Sequence, residues 1–377
     1  MEINELIKLR HEIHRHPELS DKEYDTKKRI LRFFEKLKPD KVIEFSGTTG
    51  FAFVFEGKEP GKTIMFRSEL DALPIVENTA ADYSSVNKGV AHSCGHDGHM
   101  SVLSGLGVRI SENRPNKGRA VLLFQPAEET GQGAQKIVNS AEFQEIEPDY
   151  IFALHNIPRR EKHKIIIKPG SFSAASTAMT LKLKGKTSHA AEPEKGISPA
   201  NAVAELINRL HRLVEDQSQF SDFTLLTIIN IQLGEIAFGT TPGYAEFRVT
   251  YRAFENKDMD VLVKKAEQII NQIAQKEHLK YEIVYSEIFP ATENHKACVE
   301  YIKQAAQKGN FNTELRDNPF RWGEDFGYFT EKYPGGFFGL GAGKNQPHLH
   351  NSDYDFPDDI IETGSTTFYN IYEAINR

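Results

Sequence analysis

A chain of 377 residues, 39% hydrophobic and 26% charged, has the length for two domains and the composition of an ordinary soluble globular protein. Its net charge of −7, with no long basic run, argues against nucleic acid or an anionic membrane surface as a partner. Two cysteines, Cys94 and Cys298, exclude a disulfide framework and fit a reducing compartment. No stretch nears the roughly 20 apolar residues of a membrane span. The start, Met1-Glu2-Ile3-Asn4-Glu5, lacks the apolar core of a secretory signal, so the cytoplasm is the expected location.

In chain order, residues 2–38 carry apolar side chains at helical spacing, interrupted by Pro17 and closed by Pro39. Residues 49–56 and 63–68 are rich in aromatic and β-branched types, with Gly57, Pro60 and Gly61 between them. They predict two strands joined by a turn. A helix is expected over 100–112. Buried strands are expected over 120–124, ending in Gln125-Pro126-Ala127-Glu128-Glu129, and over 149–154, ending in His155-Asn156. Strands alternating with helices imply a mostly parallel sheet covered on both faces, which gathers its ligands at the strands' carboxyl ends.

The texture then changes. Strands are expected over 177–184, 223–233, 244–254 and 280–289, and helices over 198–214 (Ser198 as N-cap, Pro199 at its first position) and 258–278. The order β-α-β-β-α-β is a split βαβ, ferredoxin-like arrangement. The expected organisation is therefore an α/β domain of residues 1–173 and 289–377, with residues 174–288 inserted as an α+β lid or dimerisation domain. The first domain resumes with helices over 293–309 and 359–375 and a short strand over 337–340 that leads to Pro347-His348-Leu349-His350.

The chemistry concentrates in Ala91-His92-Ser93-Cys94-Gly95-His96-Asp97-Gly98-His99, where a thiol, imidazoles and a carboxylate crowd one short stretch. These are ligands for zinc, nickel, cobalt or manganese. Glu128 and Glu129 are adjacent, so one carboxylate can hold a metal while its neighbour faces a substrate. His155 and His350 are each, alone, ordinary strand-end or loop histidines. Cys94, His96, Glu129, His155 and His350 together supply enough ligands for two ions sharing a bridging group. Glu69, Asp71 and Asp97 are candidates to orient histidine ligands.

The motifs that run through most of the chain are His14-Arg15-His16-Pro17-Glu18, Arg67-Ser68-Glu69-Leu70-Asp71-Ala72-Leu73-Pro74-Ile75, His92-Ser93-Cys94-Gly95-His96-Asp97-Gly98-His99, Gln125-Pro126-Ala127-Glu128-Glu129, Ser188-His189-Ala190-Ala191-Glu192-Pro193, Glu324-Asp325-Phe326 and Leu349-His350. With these the chain resembles the metal-dependent amidohydrolases of the M20 peptidase family, in particular the subgroup of hippurate, N-acyl-amino-acid and indole-acetyl-amino-acid hydrolases and N-acetyl-diaminopimelate deacetylases. The resemblance implies Cys94, His96, Glu129, His155 and His350 as ligands of two divalent ions, with the cysteine where other members have a bridging aspartate. It implies Glu128 as general base, His189 as a histidine acting at the partner subunit's site, and Arg252 as receiver of the substrate's carboxylate. It also implies a homodimer.

Two positions depart from the pattern. Glu69 stands where the subgroup has aspartate, and Gly239 where it has asparagine, with Thr240 or Thr241 as replacements. The expected activity is hydrolysis of an N-acyl amino acid to a carboxylate and an amino acid. The alternatives are a dipeptidase or carboxypeptidase on the same scaffold, or a catalytically weak binding homologue.

Overall fold

A computed structural model describes residues 3–376. They pack as two compact units. Residues 3–172, 292–319 and 325–376 form the first; residues 173–291 and 320–324 form the second.

The first unit is built on an eight-stranded sheet. Its order is Lys41–Glu44, Phe51–Glu56, Lys117–Gln125, Glu59–Glu69, Tyr150–Pro158, Gly335–Gly343, Ile165–Ile167, Thr313–Leu315. The four central strands run parallel. Phe51–Glu56 pairs antiparallel with Lys117–Gln125, and Lys41–Glu44 continues outward from it. The first two expected strands are therefore not a hairpin, because Lys117–Gln125 lies between them. Leu122 and Phe124 join one core cluster while Val121 and Leu123 are buried on the opposite face. That two-sided burial explains why these strands read as unbroken apolar runs.

The helices Ile3–Arg15, His96–Glu112, Lys296–Lys308 and Ile361–Ile375 contribute to that same core cluster, around Ile13, Leu103, Ile302 and Phe368. The amino-terminal helical pattern resolves into two helices, Ile3–Arg15 and Tyr24–Glu35. The break falls at Pro17, whose ring cannot continue a helix. Glu18 caps the second helix, its Oε2 accepting from the Asp25 and Thr26 amides at 2.9 and 2.7 Å. No helix among the described residues is long and apolar enough to cross a membrane.

In the second unit a four-stranded sheet runs in the order Thr224–Leu233, Tyr244–Ala253, Ala175–Lys184, Lys280–Phe289, with every pairing antiparallel. The helices Ala200–Glu215 and Asn256–Lys276 bury Leu206, Leu210, Leu262 and Ile270 against Leu181, Phe247 and Val249 of this sheet. This is the split βαβ topology. Pro199, rather than Ser198, occupies the N-cap position of the first helix. Ser198 still contributes, its Oγ accepting from the Ala200 amide at 3.3 Å. The return of residues 320–324 to this unit runs through Phe320, whose carbonyl accepts from the Ala174 amide at 2.9 Å.

Candidate metal centre and active site

The loop before the helix His96–Glu112 turns at Gly95, whose φ of +90° favours glycine. A Cβ there would lie 2.5 Å from Asn156 Oδ1, so glycine is needed for contact as well as for conformation. The turn places Cys94 and His96 side by side at the carboxyl ends of the parallel strands. His96 Nδ1–H donates to the Asp71 carbonyl at 2.9 Å, and His155 Nδ1–H donates to the Asn156 carbonyl at 2.9 Å. Both bonds keep a proton on Nδ1 and leave Nε2 as the nitrogen a metal ion would take. His155 Nε2 points at Cys94 Sγ, 3.4 Å away.

Past the strand Lys117–Gln125 the chain reverses at Ala127, whose φ is +52°. Glu128 and Glu129 leave this turn in different directions. Glu128 Oε1 accepts from the Asp325 amide at 3.4 Å, while the Glu129 amide donates to Asp71 Oδ2 at 3.0 Å. His96 Nε2 is buried without a hydrogen-bond partner and stands 3.9 Å from an oxygen of each carboxylate.

Several sets of donor atoms lie within 4.8 Å of one another among the described residues, and two of them, Cys94–His96–His155 and Cys94–Glu129–His350, have Cys94 in common. A soft thiolate, imidazoles and a carboxylate suit a first-row transition ion or zinc. The local field points the same way. Burial raises the Cys94 thiol, and the charges of Glu129 and Glu128 raise it further. Burial pulls His96 down, but Asp71, Glu69 and Glu129 outweigh it and hold the imidazole up at about 10. A surplus of negative groups in a buried site is what a bound cation would neutralise.

The remaining histidines of the motif stand outside the two sets that contain Cys94. His99 Nδ1–H donates to Glu69 Oε2 at 2.7 Å, and its Nε2 accepts from the Asn156 amide at 3.1 Å, so neither nitrogen is left for a metal. His92 is fully buried and held neutral, its pKa lowered to about 3 by burial, and it belongs to no ligand set among the described residues. Glu69, despite its extra methylene, bonds both Arg67 and His99.

Three separate motifs meet in one outer network. Arg67 Nε donates to Gln125 Oε1 at 2.7 Å, Arg67 Nη2 to Asp325 Oδ1 at 2.6 Å, and Gln125 Nε2 to Asp325 Oδ2 at 2.8 Å. Asp325 thereby fixes the amide that meets Glu128. Asp97 faces away from the centre, toward His14 Nδ1 at 2.8 Å and Arg10 Nη1 at 3.2 Å. Burial lowers the His14 pKa, but the bond to Asp97, the charge of Asp97 and the bond to Glu77 lift it to about 10. A raised cationic group stabilises the fold fully below its unfolded pKa of about 6.5 and loses that contribution as pH rises through its folded value. The midpoint of thermal denaturation should therefore fall more steeply from pH 7 to 10 in the native protein than in His14→Gln. The limiting difference is about 1.4 kcal/mol per pH unit. Parallel curves would refute the assignment.

His189 and Arg252 belong to the second unit. His189 is exposed and pairs with Thr240 across a short ladder; its Nδ1 accepts from the Ala191 amide at 3.0 Å. Arg252 Nη1 donates to the Arg321 carbonyl at 2.6 Å. Thr241 Oγ1 accepts from the Ser188 amide at 2.9 Å and bonds Ser188 Oγ at 2.8 Å, which leaves Thr240 as the residue with an uncommitted hydroxyl. A Cβ at Gly239 would meet nothing within 4 Å, so the fold has room there for a larger side chain.

The family model for peptidase family M20/M25/M40 matches residues 65–374. The hippurate hydrolase of Campylobacter jejuni is 31% identical over 366 residues, covering 97% of this chain and 94% of the relative. An N-acetyldiaminopimelate deacetylase of Bacillus subtilis is 29% identical over 375 residues, covering 99% and 100%. Among solved structures, a Bacillus subtilis protein described as a dinuclear metal binding peptidase of the M20 family superposes with a TM-score of 0.85 at 25% identity, covering 99% of this chain and 98% of that one.

Proposed function

The chain belongs to peptidase family M20/M25/M40, and from that premise we propose that it hydrolyses the amide bond of N-acyl amino acids, releasing a carboxylic acid and a free amino acid. The observation that carries the reading is the sharing of Cys94 by two ligand sets beside a further carboxylate, Glu128. Cys94, His96 and His155 would hold one divalent ion, and Cys94, Glu129 and His350 a second. Bound ions supply a water of lowered pKa and a positive charge for the polarised carbonyl.

The protein's own groups do the rest. Glu128 takes the proton from the attacking water and returns it to the departing amine nitrogen, so that water's hydroxyl ends on the acyl carbon and its proton on the amine. The Asp325 amide and the Arg67–Gln125–Asp325 network hold that carboxylate in place. For His189 and Arg252 we adopt the roles that family membership implies: His189 as a donor to the developing oxyanion in a partner subunit, and Arg252 as the receiver of the substrate's carboxylate. The family's asparagine at position 239 is absent, and Thr240 carries the nearest uncommitted hydroxyl.

The protein acts as a homodimer in the cytoplasm. The edge strands Thr224–Leu233 and Lys280–Phe289 leave backbone groups open for pairing and expose Ile229 and Val284. Sedimentation should give the dimer mass; monomer alone at high concentration would count against it. The function is tested with a panel of N-acyl amino acids and dipeptides on protein loaded with zinc, manganese, nickel or cobalt. Acyl amino acids should turn over and chelation should stop the reaction. Preference for dipeptides, or no turnover with any metal, would defeat the reading.

A further inference from the structure

The segment between the first two helices does more than connect them. Its backbone is tied to the strand end at Ala72, whose amide donates to the Glu18 carbonyl at 2.8 Å, and Leu19 forms a parallel bridge with Ala72. From this anchored stretch two side chains reach toward the carboxylate pair. Ser20 Oγ donates to Asp71 Oδ2 at 2.7 Å, the same oxygen that accepts the Glu129 amide. Glu23, fully buried, accepts the Ala127 amide on Oε1 at 3.0 Å and the Thr49 hydroxyl on Oε2 at 2.6 Å.

Ala127 is the point on which the pair depends. Its left-handed backbone is disfavoured for a residue with a Cβ and persists only where its surroundings hold it. The Ala127 carbonyl accepts the Gly133 amide at 3.1 Å and the Thr130 hydroxyl at 3.2 Å. Its amide is held by Glu23. If the turn relaxed to the ordinary right-handed or extended backbone, Glu128 and Glu129 would both re-aim.

We propose that Glu23 is a positioning residue for the Glu128–Glu129 pair, clamping the left-handed turn at Ala127 that sends one carboxylate to the metal ligands and the other to the reacting water. The inference rests on the roles given above to Glu128 and Glu129. Burial, then the nearby charge of Asp71, raises the Glu23 carboxyl to about 7. The contacts with Ala127 and Thr49 are both hydrogen bonds that Glu23 accepts, and glutamine keeps an oxygen for the Ala127 amide while the Thr49 hydroxyl can turn to accept from its amide nitrogen.

The test compares Glu23→Ala, Glu23→Gln and the double variant Glu23→Ala with Ala127→Gly. Turnover of an N-acyl amino acid and a titration with Co2+ followed by visible absorption are the two readouts. Glu23→Ala should lower kcat by roughly 10–100-fold with little change in KM, and weaken binding of the second Co2+ equivalent by a similar factor. Glu23→Gln should stay close to the native protein. Ala127→Gly should recover much of the loss, because glycine adopts a positive φ without the clamp. If Glu23→Ala fails to fold, Glu23→Asp, one methylene short of the Ala127 amide, must show the same loss. Native kcat and Co2+ binding in Glu23→Ala, or a loss that neither Glu23→Gln nor Ala127→Gly relieves, would overturn the proposal. If the native protein turns over no N-acyl amino acid, the proposed function fails, while the Co2+ titration still decides the role of Glu23.

Discussion

Glu128→Gln should lower kcat on an N-acyl amino acid by about a thousandfold while KM and bound metal stay near native values. General acid–base catalysis by one positioned group is typically worth about 10²–10⁴ in rate, and a thousandfold corresponds to roughly 4 kcal/mol of barrier. Glutamine keeps the shape of Glu128 and an oxygen to accept the Asp325 amide, so the turn and its surroundings have no reason to move. What it lacks is a basic oxygen. Glu128 also lies near other donors, in the groupings His96–Glu128–Glu129 and Glu128–Glu324–Asp325, but it is in neither set that contains Cys94, so elemental analysis should return the native metal content. Glu129→Gln makes the contrast: it should lose metal and activity together. A Glu128→Gln protein within tenfold of native kcat would remove the general base from the scheme.

How much of this was legible in the sequence depended on the range of the interaction. The apolar strands 120–124 and 149–154 could be read because each is buried on both faces, and their polar terminations marked the sheet edge where ligands gather. The alternation in 177–184 likewise showed a strand with one buried face. Partnership between strands was not legible: 49–56 and 63–68 are close in sequence, yet Lys117–Gln125 lies between them in the sheet. Nor could spacing rank the histidines of the motif. His96 and His99 lie one helical turn apart, and only the Asn156 amide and the Glu69 carboxylate show that His99 is already committed. Glu23 gave no local signal at all. An acid shortly before a helix usually caps it, whereas this one reaches across more than a hundred residues to the Ala127 amide. Residues 320–324 were equally silent, because a short loop carries no pattern that assigns it to one packing unit or the other.

Cys94→Ser should abolish turnover, with kcat/KM falling at least about a thousandfold, because the one donor common to the sets Cys94–His96–His155 and Cys94–Glu129–His350 is lost from both at once, and each tenfold reflects about 1.4 kcal/mol. Serine is nearly the size of cysteine, so the buried loop between Ala91 and His96 should keep its shape. The difference is chemical: a thiol gives up its proton to a soft divalent ion, whereas a hydroxyl holds its proton at neutral pH. The cysteine count makes the experiment clean. The other cysteine, Cys298, is buried in the helix Lys296–Lys308 and belongs to no group of metal donors among the described residues. Any sulfur-to-metal charge-transfer band of the Co2+-loaded protein must then come from Cys94. That band should vanish in Cys94→Ser and persist in Cys298→Ala, and chelation of the native protein should erase band and activity together, with both returning on addition of Co2+. A native protein that shows no such band, or a Cys94→Ser protein that keeps its rate, would mean that the two ligand sets do not share a sulfur bridge and that the dinuclear reading of this centre is wrong.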